Sequence, residues 1–307
     1  MIVNVGGRTD IVNYYTPWLM RRLKEGYVYT RNPLFPKKVS KIDLNPDKVD
    51  CLLFCSKNYK PILNYIDEIN QKYHIICHYT ITTYGKDVEP NVPSIDESIR
   101  TLIELSKLVG KEKVIWRYDP LLLTANYTVD DLIQTYEYIA SRVHNHINRA
   151  IFSFVEMYKR LEYNMPEIIL FTEEDKIKLV KEIGNISKKY DIYVQTCGTD
   201  ANYEEYGVHR SGCTTKEVLE SANHVEYKPQ KEAHMRKGCH CIATRDIGAY
   251  NTCLNGCKYC YANKRPTTAI ENYRLHDVNS PILIGYIQED DIISEADQKS
   301  FILECKL

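Results

Sequence analysis

The sequence predicts an α/β chain: a partial (β/α)6-type barrel of the TIM-like kind, with a cysteine-rich, cluster-binding segment at its C-terminal end. Three observations carry that expectation. Six short apolar runs recur through the first two thirds of the 307 residues: "MIVNV", "CLLFCS" from Cys51, "IICHYTIT" from Ile75, "KVIWRY" from Lys113, "RAIFSFV" from Arg149 and "DIYVQT" from Asp191. Helix-like stretches with start signals separate them. Near Tyr227 the texture changes, and long helices give way to Cys, Gly and turn residues.

Most of the six runs are continuously apolar, the pattern of parallel strands covered on both faces. The helices between them are well marked. Thr16-Pro17 is expected to cap and start one that ends at Gly26. Ser94 and Glu97 form a capping box. Thr128 with Asp131, and Thr172 with Asp175, repeat the device with Asp in place of Glu. Leu132, Ile133, Tyr136 and Ile139 then follow at helical spacing. Strands alternating with helices require a parallel sheet, and six such units exceed what a small open sheet needs. Residues 1–227 are expected to form the barrel, and residues 228–307 to complete or cap it.

Composition narrows the function classes. The net charge is -1, with no long basic or acidic block, so a strongly electrostatic partner such as nucleic acid or an anionic membrane is not expected. The start "MIVNVGGRTD" lacks a basic, then apolar, leader pattern, and no apolar run reaches the roughly 20 residues of a membrane span. A cytoplasmic protein is expected. In a reducing compartment, eleven cysteines point away from disulfides and toward metal binding or chemistry. Cys51, Cys55 and Cys77 lie in apolar runs and read as small buried hydrophobes. Cys305 reads as incidental. The other seven are Cys197, Cys213, Cys239, Cys241, Cys253, Cys257 and Cys260.

In a parallel barrel, chemistry collects where strands finish. The polar residues just past the six runs are Gly6, Gly7, Arg8, Thr9 and Asp10; Lys57 and Asn58; Thr82 and Thr83; Arg117 and Asp119; Glu156; and Gln195 with Cys197. Arg117, Asp119 and Glu156 are the candidate catalytic or substrate-binding groups. Each also has a plain reading as a solvated loop residue, and Arg117 and Asp119 share a face and could simply pair.

Cys253, Cys257 and Cys260 form a C-x3-C-x2-C group. Structural zinc usually takes four ligands in Cys-x-x-Cys pairs. Three thiolates on one loop suit a 4Fe–4S cube instead, leaving one iron open to a non-protein ligand. Cys197, Cys213, Cys239 and Cys241 make a second set, enough for another 4Fe–4S cluster or one zinc ion. Cys197 could otherwise donate a hydrogen atom. His209, His224, His234 and His240 read as surface residues more readily than as ligands.

The pattern Cys253, Cys257, Tyr259, Cys260 is similar to the C-x3-C-x-aromatic-C signature of radical S-adenosylmethionine (SAM) enzymes. That resemblance implies a six-unit partial barrel, SAM chelated at the fourth iron, and a 5′-deoxyadenosyl radical formed after reduction by a partner such as flavodoxin or ferredoxin. Across "RTDI", "TRNP" at 30 to 33, "YGKDVEPNVP", "VIWRYDP", "SFVEMY" and "RDIGAYNTCLNGCKYCYAN", the chain also resembles an uncharacterised prokaryotic domain-of-unknown-function family noted for a radical-SAM-like cysteine cluster at its C-terminus. One departure matters. In radical SAM enzymes the cysteine loop follows the first strand, and here it follows the sixth. Circular permutation would reconcile the two, with "RDIGAYN" as first strand, a helix in "YCYANKRPTTAIENYRL", and "MIVNV" as second. The resemblance implies a Gly-Gly-Glu that holds the SAM amino group; here Gly6-Gly7-Arg8 keeps the glycines and loses the acid, for which Asp10 could substitute. Tyr259 joins these as a cofactor-binding candidate.

Three functions fit the sequence. The first is a radical SAM enzyme acting on an unknown small molecule. The second is a non-catalytic iron–sulfur or zinc protein whose metal contributes to folding. The third is nucleic-acid repair, since "CKYCYA" is similar to a stretch in DNA photoproduct-repairing radical enzymes; the absence of a basic stripe weighs against it.

Overall fold

The computed structural model describes residues 1–234 and 237–303. The elements, in chain order, begin with β1 (Ile2–Asn4), α1 (Ile11–Tyr14), α2 (Thr16–Glu25), β2 (Tyr27–Arg31), β3 (Lys38–Asp43), β4 (Cys51–Ser56) and α3 (Leu63–Lys72). Next come β5 (Ile75–Thr80), α4 (Ile95–Val109), β6 (Val114–Leu121), α5 (Val129–Val143), β7 (Arg149–Phe154), α6 (Lys159–Asn164) and α7 (Glu173–Lys189). The last are β8 (Tyr193–Thr196), β9 (His209–Arg210), α8 (Lys216–Asn223), β10 (Arg245–Asp246), α9 (Pro266–Tyr273) and β11 (Ile292–Glu295). Among the described residues, no helix is long and apolar enough to cross a membrane.

All six apolar runs are strands of one eight-stranded sheet in the order β10-β1-β4-β5-β6-β7-β8-β9. Every neighbouring pair is parallel. Side chains alternate between its faces, as strand geometry demands. Val3, Phe54, Tyr79, Trp116, Phe152 and Val194 bury one face against the core that includes residues of α2, α3, α4, α5 and α7. Ile2, Leu53, Ile76, Ile115, Ile151 and Cys197 bury the other against α8, Tyr227 and Ile242. Burial on both faces is why the runs carry no polar alternation.

Most of the helix signals act as expected. The capping boxes at Ser94/Glu97, Thr128/Asp131 and Thr172/Asp175 are all formed in both directions. Helix α2 begins at Thr16, but Thr16 does not cap it: the N-cap is Tyr15, and the Thr16 hydroxyl donates back to the Val12 carbonyl at 2.6 Å. Its C-terminal end is capped as expected by Gly26, whose φ of 78° is the left-handed conformation glycine adopts without strain.

Residues beyond 228 are interleaved with the start of the chain. They supply β10 to the edge of the main sheet and β11 to a second sheet of order β11-β3-β2. In that sheet β2 and β3 pair antiparallel, while β11 joins β3 in parallel. Sequence reading did not find β2, β3 or β11. Their polar residues alternate with few apolar ones, as "YVYTR" and "KVSKID" show.

Gly184 supplies a test of the packing around α7. A Cβ there would lie 1.9 Å from the backbone oxygen of Tyr206. Helix propensity alone would favour Gly184→Ala by about 1 kcal/mol. The backbone contact is expected to reverse the sign, lowering the urea midpoint at unchanged m value. A raised midpoint would contradict the contact.

Candidate metal centre

The loop that carries Cys253, Cys257 and Cys260 is closed on itself. The Asn251 amide donates to the Ala262 carbonyl at 2.9 Å, and the Asn263 side-chain amide donates to the Cys253 carbonyl at 2.6 Å. The Cys260 amide donates to the Cys257 carbonyl at 3.1 Å. Gly256 turns the chain between the first two cysteines with φ of 71°, a conformation that strains residues with a Cβ. The three cysteines are half-buried.

Segments that follow four strands hold this loop over the carboxyl end of the sheet. After β1, Asp10 accepts from the Asn255 side-chain amide at 3.0 Å. The same carboxylate accepts from the Asn13 amide at 3.0 Å, the Ser56 hydroxyl at 2.6 Å and the Lys57 amide at 3.1 Å. The other face of Asn255 accepts from Asn13 at 3.1 Å and from the Tyr14 hydroxyl at 2.9 Å. After β5, the Asn91 amide donates to the Asn255 carbonyl at 3.1 Å, and the Lys258 amide donates to the Val88 carbonyl at 3.0 Å. After β7, the Tyr158 hydroxyl donates to the Tyr259 carbonyl at 2.8 Å, and Arg160 donates to the Asn263 carbonyl at 3.0 Å. The segment after β4 supplies Lys57.

The electrostatics suit anionic sulfur. The Asp10 and Asn255 amides face the Cys253 sulfur, and the Ala262 amide donates to the Cys260 sulfur at 3.3 Å. The Lys57 charge acts on the Cys257 sulfur. Lys57 also bonds Glu89 at 3.0 Å, and the buried Glu89 accepts from Thr82 at 2.8 Å and from the Tyr259 hydroxyl. Without a metal, burial pushes the Cys253 thiol up to about 12 and raises those of Cys257 and Cys260. A metal would reverse that, since a coordinating thiol is deprotonated outright. Burial also raises the Asp10 carboxyl, despite its four donors.

Gly6 lies against β4, where a Cβ would stand 2.2 Å from the Cys55 carbonyl oxygen; one on Gly7 would stand 2.3 Å from Asp246 Oδ2. Arg8 reaches Asp246 at 4.0 Å and lies over the Tyr250 ring. Arg117 and Asp119 form a bidentate pair at 3.0 and 2.5 Å, and Ser153 donates to Asp119 at 3.2 Å. Their pairing is therefore real, and each holds the other charged: burial opposes it, but Arg117 keeps the Asp119 carboxyl below its ordinary range. Glu156 is exposed just past β7. Sequence reasoning missed Asp246. It ends β10, its register partner is Asn4 of β1, and its carboxylate faces the Gly7 and Arg8 amides. Only the β10–β1 pairing, which spans most of the chain, brings it there.

A second sulfur group is tighter. Cys197, Cys213 and Cys241 have sulfurs all within 4.8 Å of one another. Cys239 is buried but does not join them, and neither do the three loop cysteines reach that spacing. Cys51 and Cys77 are buried free thiols, as expected, and Cys55 is half-buried. Cys305 lies outside the described residues.

Two outcomes test this geometry. Asp10→Ala would leave four donors without an acceptor and is expected to cost on the order of 3 kcal/mol. Hydrogen exchange should rise across 251–263; unchanged exchange there would contradict the anchoring. His78 titrates near 4 when folded, against an ordinary 6.5, because burial and the Arg117 charge disfavour imidazolium. Between those values the unfolded chain binds a proton that the folded chain does not. Stability should therefore fall, by about 3 kcal/mol in all, as pH drops from 6.5 to 4. His78→Gln should flatten that stretch; an identical acid slope would contradict the assignment.

No curated protein and no solved structure is a significant match to this chain. Residues 2–262 match the family described as domain of unknown function DUF1848, a span that runs from the first strand through the cysteine loop. The chain belongs to that family.

Proposed function

We propose that Cys253, Cys257 and Cys260 hold a 4Fe–4S cluster with one open iron, and that the protein is a radical SAM-type enzyme built on a circularly permuted partial barrel. The observation that carries the reading is the strand order. Started at β10, the sheet runs β10, β1, β4, β5, β6, β7, β8, so the strand that precedes the cysteine loop lies beside the Gly6-Gly7 strand. Chain order and spatial order then agree for every strand of the series once the break is moved, as a permuted barrel requires.

The donor set fits the group. Three thiols lie on one loop, amides face two of the sulfurs, and the Lys57 ammonium acts on the third. When bound, such a cluster supplies the electron that cleaves the sulfonium of SAM, drawn from a reducing partner such as flavodoxin or ferredoxin. The chain's own residues do the rest. Lys57 offsets negative charge at the sulfurs. Tyr259, held by Glu89, closes the loop against β5's end. Gly6 and Gly7 keep backbone close to the SAM position. Asp246, rather than Arg8 or Asp10, supplies the carboxylate for the SAM amino group. Asp10 is a positioning residue, since its oxygens are taken by four donors. Arg117 and Asp119, with Glu156 at the rim, face a polar small-molecule substrate.

The experiment is anaerobic reconstitution with iron and sulfide, then dithionite and SAM. Release of 5′-deoxyadenosine, lost in Cys257→Ala, is expected. Asp246→Ala should keep its iron yet weaken SAM binding about tenfold or more, the loss of one charge-assisted contact. Zinc at the loop, or iron without SAM binding, would favour the second reading, a structural metal.

A further inference from the structure

We propose that Cys197, Cys213 and Cys241 form a second metal centre that binds one thiophilic divalent ion of the zinc class, with Cys239 outside it. This goes beyond the reading of the 253–260 loop and stands without it. Three separate parts of the chain converge here. Cys197 directly follows β8, its amide donating to the Phe152 carbonyl at 2.9 Å. Cys213 follows β9, where the Gln195 side chain donates to the Gly212 carbonyl at 2.8 Å. Cys241 runs alongside, and the Ile242 amide donates to the Thr214 carbonyl at 2.9 Å.

Spacing decides between ion and cluster. A tetrahedral zinc with Zn–S of about 2.3 Å sets its sulfurs about 3.8 Å apart. Here Cys213 and Cys241 are 3.3 Å apart, and no pair in the trio exceeds 4.8 Å. A four-iron cube would hold them wider. The surroundings are prepared for charge. The Arg117 cation acts on Cys213. His78 is 4% exposed, and among the described residues neither ring nitrogen has a hydrogen-bond partner. A buried polar ring without a partner is costly, and an ion with its bound water is one means of supplying one. Three protein sulfurs also leave the fourth position open, as in catalytic zinc sites, on the sheet face that carries Arg117 and Asp119. Binding needs no oxidant or reductant; the thiol protons pass to solvent.

The test is an anaerobic cobalt(II) titration of the full chain carrying Cys253→Ala, Cys257→Ala and Cys260→Ala, repeated on the unsubstituted chain before iron is supplied. One cobalt per chain is expected, with strong thiolate charge-transfer absorption that zinc abolishes by displacement. Cys197→Ser, Cys213→Ser and Cys241→Ser should each remove that absorption while the circular dichroism spectrum stays native. Cys239→Ser should retain it. Loss in Cys239→Ser, absence of thiolate bands in the unsubstituted chain, or a Cys213–Cys241 disulfide in place of metal would overturn the proposal. Failure of SAM cleavage would leave the cobalt result untouched, so the two sites are judged apart.

Discussion

The buried carboxylate of Asp10 is the fastening on which the candidate site depends. It caps α1, binds the start of the segment after β4, and grips Asn255 in the cysteine loop. Two stretches 245 residues apart are thereby fixed at one point. Taking a carboxylate out of water is costly, and its raised pKa shows that the cost is not fully offset. Such a group persists because four donors converge on it and would be orphaned without it. The sulfurs of Cys253, Cys257 and Cys260 inherit their position from that knot. A loop hydrogen-bonded only to itself would be free to drift over the sheet.

The parallel sheet explains why the polar groups gather there. Its strands all point one way, so their following segments emerge at one end, where backbone amides and short loops can meet a charged ligand. Asp10, Lys57, Glu89 and Tyr158 come from four such segments and all touch the cysteine loop or its anchors. The second sulfur trio belongs to the face where α8 and residues near Ile242 cover the strands. Arg117 connects the two regions, since it acts on Cys213 while pairing with Asp119 near the strand ends. The sheet thus offers two sulfur-rich positions, of which the trio Cys197, Cys213 and Cys241 is gathered within 4.8 Å.

Much of this was legible in the sequence because it is local. Double-sided burial marked β4 to β8, and capping pairs three residues apart marked α4, α5 and α7. The pairing of Arg117 with Asp119 followed from their separation of two on extended chain. What escaped depends on distant partners. Strand β11 is paired to β3 across about 250 residues, and neither is apolar enough to announce itself. Asp246 becomes a neighbour of Gly7 only through the β10–β1 ladder. Cys239 and Cys241 read as co-ligands because one residue separates them, but only Cys241 meets Cys213 and Cys197. Spacing along a chain predicts shared ligation only where the backbone between is known.

The central claim is an iron–sulfur cube on the 253–260 loop with one corner open to SAM. Electron paramagnetic resonance of the reconstituted, dithionite-reduced protein reads that corner directly. The account predicts a reduced 4Fe–4S signal whose g values and line shape change when SAM is added, because a ligand has entered the cluster. A cluster signal indifferent to saturating SAM would mean that the fourth iron is closed, and would contradict the account.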